Sequence, residues 1–379
     1  MKYVYLDNSA TTMPCEAAIK AAVDSMTDDF ANPSSLYEIG LEANALMEKA
    51  RKNISSCLGC LSQEFYFTSG GTEANNIALQ GAFYANWRKG RRVVTTSIEH
   101  PSVLNTLKEI CLKNDIQLTI ITPNKNGVIT EEDIYNAIDS DVFLVSIMLV
   151  NNETGAINPV LAARKAIDDK NSPALLHCDC VQAFGKLPFT VSSIGADLVS
   201  ISGHKVHSPK GIGGLYVKKG VRLNPLIYGG GQEKGIRPGT QPTPLISAFS
   251  AAVTELKNNK FVYNNAEDLF QYAVKKLTAL PEVYVNSPKG ALPYILNISV
   301  MGYRSEVMLR FLSGKGVFVS SGSACAKGKR SYVLTSMGLS PKRIDSAIRI
   351  SFSRYNTLDD IDELCDAISE GQKNLLKSR

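Results

Sequence analysis

Lys205 closes an apolar run and opens a polar turn: Asp197-Leu198-Val199-Ser200-Ile201-Ser202-Gly203-His204-Lys205, followed by Pro209, Gly211, Gly213 and Gly214. A lysine just past a buried strand, among glycines that let a ligand approach the backbone, is a candidate Schiff-base lysine. The plainer reading is a surface lysine in a turn. A second signature is Phe67-Thr68-Ser69-Gly70-Gly71-Thr72, where an apolar run breaks at two glycines. A helical pattern with the small residues Ala74, Ala78, Gly81 and Ala82 follows it. Strand, glycines, then helix is the layout that binds phosphate on backbone amides at a helix N-terminus. It is neither a Walker A motif nor a GxGxxG fingerprint, and a tight turn is again the plainer reading.

The elements around these residues repeat one plan. From about residue 60 to 217, short apolar runs alternate with helical patterns: 64–68, 92–96, 117–121, 142–150, 174–179 and 197–202. Continuously apolar strands must be covered on both faces, which implies a mainly parallel sheet sandwiched by helices. Ligands bind such sheets at the carboxyl ends of strands. His100, Asn152, Asp179, Gln182 and Lys205 all follow strand ends, so they can converge although the sequence spreads them widely. Pro14 opens a helix to about Met26, and another helix ends near Leu58. Beyond a glycine-rich connection at 229–240, a helical region runs from about Pro244 to Leu280. A compact C-terminal α+β portion follows: a strand at 295–300, a helix from Ser305, a strand at 317–320, a loop from Ser321 to Lys329 and a closing helix from Leu358.

Length and composition bound the function. At 379 residues the chain is expected to form a large domain with a smaller one attached. A net charge of +5 does not by itself imply nucleic-acid or membrane binding. The N-terminus lacks a signal-peptide pattern and no apolar run is long enough to span a bilayer, so a cytoplasmic location is expected. Eight cysteines in a chain this long are not a disulfide framework. Cys57 and Cys60 form a lone CxxC without the second pair that a structural zinc site wants, so no metal is expected. Cys111 and Cys365 sit in amphipathic patterns, where buried inert thiols are common.

Ten blocks then give a resemblance: YLDNSATT, NPSS, FTSGGTEANN, EHPSVL, NNETG, DCVQAFGK, SGHKVHSPKGIGGLY, GGGQEKGIRPGT, SSGSAC and IRISFS. In order and across nearly the whole chain, they resemble the signature blocks of cysteine desulfurases, pyridoxal-phosphate enzymes of the class V aminotransferase family. The resemblance implies fold type I, an α/β architecture with a mainly parallel sheet of the seven-stranded type and a smaller α+β C-terminal domain. Residues 15–250 would form the large cofactor-binding domain. Residues 1–14 and 251–379 would form the small domain carrying a catalytic cysteine loop.

It also implies roles. Lys205 would hold the cofactor as a Schiff base and move the substrate's α-proton. Asp179 would pair with the pyridine nitrogen and keep it protonated, so the ring can act as an electron sink. His100 would stack on the ring, and Asn152 and Gln182 would contact its oxygen and surroundings. Gly71, Thr72, Ser202 and His204 would bind the phosphate, and Thr240 would complete that cup in a partner subunit, so a homodimer is implied. Arg349 would clamp the substrate carboxylate through its bidentate fork, with Asn32 and Asn152 assisting. Cys325, in a small polar loop followed by Lys327, Lys329 and Arg330, would be the nucleophile. An exposed thiol near positive charge ionises below its usual ~8.5. L-Cysteine would give L-alanine and a persulfide on Cys325, passed to an iron–sulfur scaffold or a tRNA-thiolation protein. Selenocysteine lyase, or another lyase on this fold, is the alternative. Tyr37, Gln232 and Asn158 depart from the family's usual residues, and the Cys325 loop is slightly short, which leaves the sulfur acceptor open.

Overall fold

The computed structural model describes residues 3–258, 262–321 and 330–377. In chain order the strands are β1 (Val4–Tyr5), β2 (Phe65–Thr68), β3 (Arg92–Thr96), β4 (Gln117–Ile121), β5 (Val142–Ser146), β6 (Leu175–Asp179), β7 (Leu198–Ser202), β8 (Gly213–Val217), β9 (Val283–Val285), β10 (Ile295–Val300), β11 (Val317–Phe318) and β12 (Ala347–Ser351). Among the described residues, seven of them form one sheet in the order β2-β8-β7-β6-β5-β3-β4. The pairs from β4 through β7 are parallel, and β8 lies antiparallel to both its neighbours. Every residue of β5, β7 and β8 is buried, as expected for strands covered on both faces. The edge strand β4 is more open, with only Ile121 buried.

Two apolar layers sandwich this sheet. On one side the helices Gly71–Asn86 and Pro101–Lys113 bury Ile77, Phe83, Val103 and Leu107 against Phe143, Leu198 and Leu215. On the other side Ile54 and Leu58, from the helix Glu38–Leu58, join Val145, Leu176, Val199 and Phe249. That helix starts at Glu38, just after the turn at residues 32–35, and it stops where Gly59 takes a left-handed turn at φ 68°.

One strand is shorter than its hydrophobic run. The apolar stretch continues to Val150, yet β5 ends at Ser146. Residues 147–150 stay buried, and the amides of Ile147 and Leu149 still donate to His177 O at 3.1 Å and Asp179 O at 3.0 Å, so the run keeps its bonds to β6 past the end of regular strand. The Asn151 side chain ends the run: its Oδ1 accepts from the amides of Glu153 and Thr154, both at 2.9 Å.

A second core lies over an antiparallel sheet ordered β12-β10-β9. Leu277, Met308, Leu364 and Ile368 from the surrounding helices cover Leu296, Ile298, Ile348 and Ile350. The N-terminal residues are built into this part: β1 pairs in parallel with β11, and Ser351 N donates to Leu6 O at 2.7 Å.

Candidate active site

Because β3, β5, β6 and β7 run parallel, their carboxyl ends open on one edge of the sheet. His100 follows β3, Asn152 follows β5, Asp179 is the last residue of β6, and Lys205 lies three residues past β7. The chain leaves β7 through a single 3-10 turn, Gly203–Lys205. A Cβ on Gly203 would stand only 2.9 Å from Ile212 Cγ2, so the turn needs glycine for close packing. Lys205 Nζ donates to the carbonyls of Ser9 at 2.6 Å and Ala10 at 2.8 Å. The N-terminal turn that supplies them is stitched to the lysine segment, since Thr12 N donates to His204 O and His207 N to Thr12 Oγ1.

Asp179 is 4% exposed and is held at both oxygens. Val181 N donates to Oδ1 at 2.9 Å, and Asn75 Nδ2 donates to Oδ2 at 2.8 Å. Asn75 also donates to Ser102 Oγ at 2.9 Å. With its oxygen occupied, Ser102 turns its proton to His100 Nδ1, 2.7 Å away. The Ser102 amide donates to the same nitrogen at 3.2 Å, because His100 is the N-cap of its helix. An Nδ1 that accepts twice carries no proton, so the ring is neutral with its N–H on Nε2. Burial holds the imidazole below its ordinary pKa; the Asp179 charge opposes this and the Lys205 charge adds to it. The same interactions place His100 within electrostatic reach of both Asp179 and Lys205.

The groups beside them suit an anion. The helix Gly71–Asn86 begins at the site, and first-turn amides have no intrahelical acceptor. A Cβ on Gly71 would meet Val181 Cγ2 at 2.7 Å and Ser202 Cβ at 3.6 Å, so this helix start lies against Ser202. Ser202 Oγ is buried without a hydrogen-bond partner among the described residues. A buried donor left open next to a helix N-terminus suits a phosphate. His204 lies two residues on, its Nδ1 3.2 Å from Thr11 Oγ1. Burial, with the Lys205, Lys210 and Lys186 cations adding, pushes it down to about 3, so it would bind as a neutral hydrogen-bonding ring. Thr240 is exposed, and no hydrogen bond joins it to Thr72, Ser202 or His204 among the described residues. Its loop is nevertheless pinned from below. Glu233 takes a fork of bonds from Arg51 at 2.7 and 2.8 Å and a third from Phe67 N at 2.8 Å.

Arg349, on β12, reaches the same edge from the second sheet. Its Nη2 pairs with Asp7 Oδ1 at 2.7 Å and its Nη1 donates to Asn152 O at 3.0 Å. Its Nε and the Asn152 Oδ1 are both buried without partners among the described residues. Asn32 is exposed, and its Oδ1 closes a local turn on Ser34 N at 2.9 Å. Cys325 lies outside the described residues. The residues on either side of its segment are tied to the site. Ser320 exchanges backbone hydrogen bonds with Arg349 at 2.6 and 3.1 Å. Downstream, Ser331 Oγ donates to Glu153 Oε2 and Tyr332 OH donates to Glu99 O.

Several of these partners escape sequence reasoning. Ser9 and Ala10 act through backbone carbonyls, which leave no mark in residue type. Asn75 does leave one: it is a buried polar residue on a helix face otherwise lined with Ala78 and Ala82. Glu99 is fully buried, and burial pushes its carboxyl up to about 8. The other cysteines behave as packing residues. Burial raises the Cys60 and Cys111 thiols to about 12 and Cys365 to about 11, so none of these is a ready nucleophile.

The model of the family "Aminotransferase class-V" matches residues 4–364. A "Cysteine desulfurase IscS" from Methanosarcina thermophila is 37% identical over 376 residues, covering 97% of this chain and 92% of that one. A solved structure described as a "NIFS-LIKE PROTEIN" superposes with a TM-score of 0.93 at 35% identity, over 99% of this chain and 100% of that one. Another, "SspA in complex with cysteine", gives a TM-score of 0.81 at 32% identity, over 93% and 99% respectively.

Proposed function

The chain belongs to the class-V aminotransferase family, and within it we propose a pyridoxal-phosphate-dependent cysteine desulfurase that turns L-cysteine into L-alanine and an enzyme-bound persulfide. One arrangement carries the reading: the amine of Lys205, the buried carboxylate of Asp179 and the neutral ring of His100 meet at one sheet edge, beside an anion cradle. When bound, pyridoxal phosphate supplies an electron sink for the substrate's α-carbon. Gly71, Thr72, Ser202 and His204 would hold its phosphate, Asp179 its ring nitrogen, Gln182 and Asn152 its ring oxygen and surroundings, and His100 its face.

The remaining work falls to this chain's own groups. Lys205 Nζ takes and returns the substrate's α-proton. Arg349 and Asn152 orient the substrate carboxylate, with Asn32 as an outer contact. Cys325 attacks as a thiolate: a new S–S bond forms as the substrate's C–S bond breaks. The C–S electron pair stays with carbon, which is protonated to give L-alanine, and the persulfide remains on Cys325. A sulfur-acceptor protein of iron–sulfur assembly or tRNA thiolation then takes the outer sulfur.

We further propose a homodimer, in which Thr240 completes the partner's phosphate cup. The exposure of Thr240 supports this, as do Ile19, Val23 and Met26, which form an exposed apolar stripe on the helix Glu16–Thr27. The division into a large unit, 15–250, and a small unit formed by 1–14 and 251–379 is part of the same reading. Among the described residues no helix is long and apolar enough to cross a membrane. The decisive experiment compares Cys325→Ser with Lys205→Ala. Cys325→Ser should keep the visible absorbance of lysine-linked cofactor but release no sulfide from L-cysteine, and Lys205→Ala should lose that absorbance. A fully active Cys325→Ser protein would refute the persulfide route.

A further inference from the structure

We propose that Lys186 is a positioning residue: it fixes the side-chain amide of Gln182 so that an N–H, and not a carbonyl, faces the cofactor. This rests on the cofactor reading above, in which Gln182 meets the ring oxygen.

Lys186 is oddly placed for a lysine. It is 9% exposed, and among the described residues no carboxylate stands within ion-pair distance of it. Lysines are seldom buried without a paired charge, because an unpaired buried ammonium is costly. Burial, with the nearby Lys205 and Arg349 cations adding, lowers it to about 7. The backbone enforces the placement. Residues 180–187 form consecutive turns, and Gly185 at φ 73° lets the chain fold back. A Cβ there would stand 2.9 Å from Val206 Cγ1, so this turn is pressed against the segment that carries Lys205.

The contacts give the placement a use. Lys186 Nζ donates to Gln182 Oε1 at 3.1 Å, and Gln182 Nε2 donates to Ser9 O at 3.0 Å. Ser9 O is also the acceptor for Lys205 Nζ at 2.6 Å. While Lys186 is protonated, below about pH 7, the amide is therefore held between a donor and an acceptor that cannot exchange roles: a backbone carbonyl only accepts, and an ammonium only donates. Turning the amide over would set its NH₂ against the ammonium and its oxygen against the Ser9 carbonyl. With Lys186 in place, the amide nitrogen is fixed on the side of Ser9 O and Lys205. The ring oxygen of pyridoxal phosphate is an acceptor, so a donor is what that position must offer. Without Lys186 one of the two constraints on the amide is gone.

The test is a double-mutant cycle read by cofactor binding, with pyridoxal phosphate titrated into the cofactor-free protein. Lys186→Met keeps the length of the side chain and removes the donor. It should raise the dissociation constant for pyridoxal phosphate roughly 10-fold, the loss expected of one oriented hydrogen bond. Gln182→Ala should raise it at least as much, and the double variant no further than Gln182→Ala alone. Lys186→Arg, whose guanidinium can only donate to Gln182 Oε1, should stay within about threefold of wild type. Melting of the cofactor-free Lys186→Met protein should stay close to the wild-type temperature, because removing an unpaired buried cation offsets the loss of the donor to the buried Gln182 Oε1. An unchanged dissociation constant in Lys186→Met would overturn the proposal, and so would losses that multiply in the double variant. A lower melting temperature in the cofactor-free protein would instead assign Lys186 to the fold. Failure of the underlying cofactor reading would look different, with wild-type protein taking up no pyridoxal phosphate and showing no visible absorbance.

Discussion

Arg349 gives the sharpest separation between a substrate role and a structural one. Its guanidinium already spends Nη2 on Asp7 and Nη1 on Asn152 O, while Nε is buried and open. Replacing it with alanine would mix two effects, since Asp7 would lose its cation partner together with the proposed substrate clamp. Arg349→Lys is cleaner. An ammonium can still neutralise Asp7, but it has no planar fork for a carboxylate. Losing one charge-assisted hydrogen bond to the substrate costs about 1.5–3 kcal/mol. At ~1.4 kcal/mol per tenfold, KM for L-cysteine should rise roughly 10- to 100-fold. The affinity for pyridoxal phosphate should stay near wild type. The complementary change, Asp7→Asn, keeps the guanidinium and removes only the ion pair, so it should lower the melting temperature more than it alters KM. Steady-state sulfide release against L-cysteine concentration reads both variants. A KM for Arg349→Lys within twofold of wild type would refute the clamp and leave Arg349 as a strut between the two sheets.

Two further outcomes concern buried acids. Ser331 caps the helix Tyr332–Ser336, accepting from Leu334 N at 3.1 Å, and also donates to the buried carboxyl of Glu153. Ser331→Ala should therefore cost about 2 kcal/mol, a lost cap plus an unsatisfied buried oxygen, and lower the melting temperature by several degrees; an unchanged melting temperature would show that the cap carries no load. Burial raises the Glu99 carboxyl from 4.5 to about 8. A raised folded-state value means that its contribution is fully present below ~4.5 and lost as pH rises through about 8. Glu99→Gln mimics the neutral acid, so its melting temperature should gain on that of wild type as pH rises from about 4.5 to about 8, and parallel curves would contradict the buried neutral state.

The sheet was legible because its strands are continuous apolar runs, and a run buried on both faces carries its own signature in residue type. Where an apolar run outlasts the regular strand, that signature overstates the strand's length. Residues 147–150 are as apolar as a strand, yet regular strand ends at Ser146 and only the bonds from Ile147 N and Leu149 N to β6 continue. Lys205, Asp179 and His100 were readable because each sits at the carboxyl end of a strand next to a helix or turn signal. Their supporting partners were not. The clamp on Lys205 is made by the Ser9 and Ala10 carbonyls, and any residue other than the observed ones would present the same oxygen.

By itself, then, the amino-acid order determined the sheet class, the edge of the proposed site, and the lysine, carboxylate and histidine gathered there, because periodicity and residue type are local properties. Tertiary structure alone decided the rest. It set the protonated nitrogen of His100, through Ser102 and Asn75, and showed that Arg349 divides its guanidinium between Asp7 and Asn152. It also turned Lys186 inward against Gln182. Each of these depends on which donor meets which acceptor across distant segments. Packing fixes that relation, and no single stretch of sequence contains it.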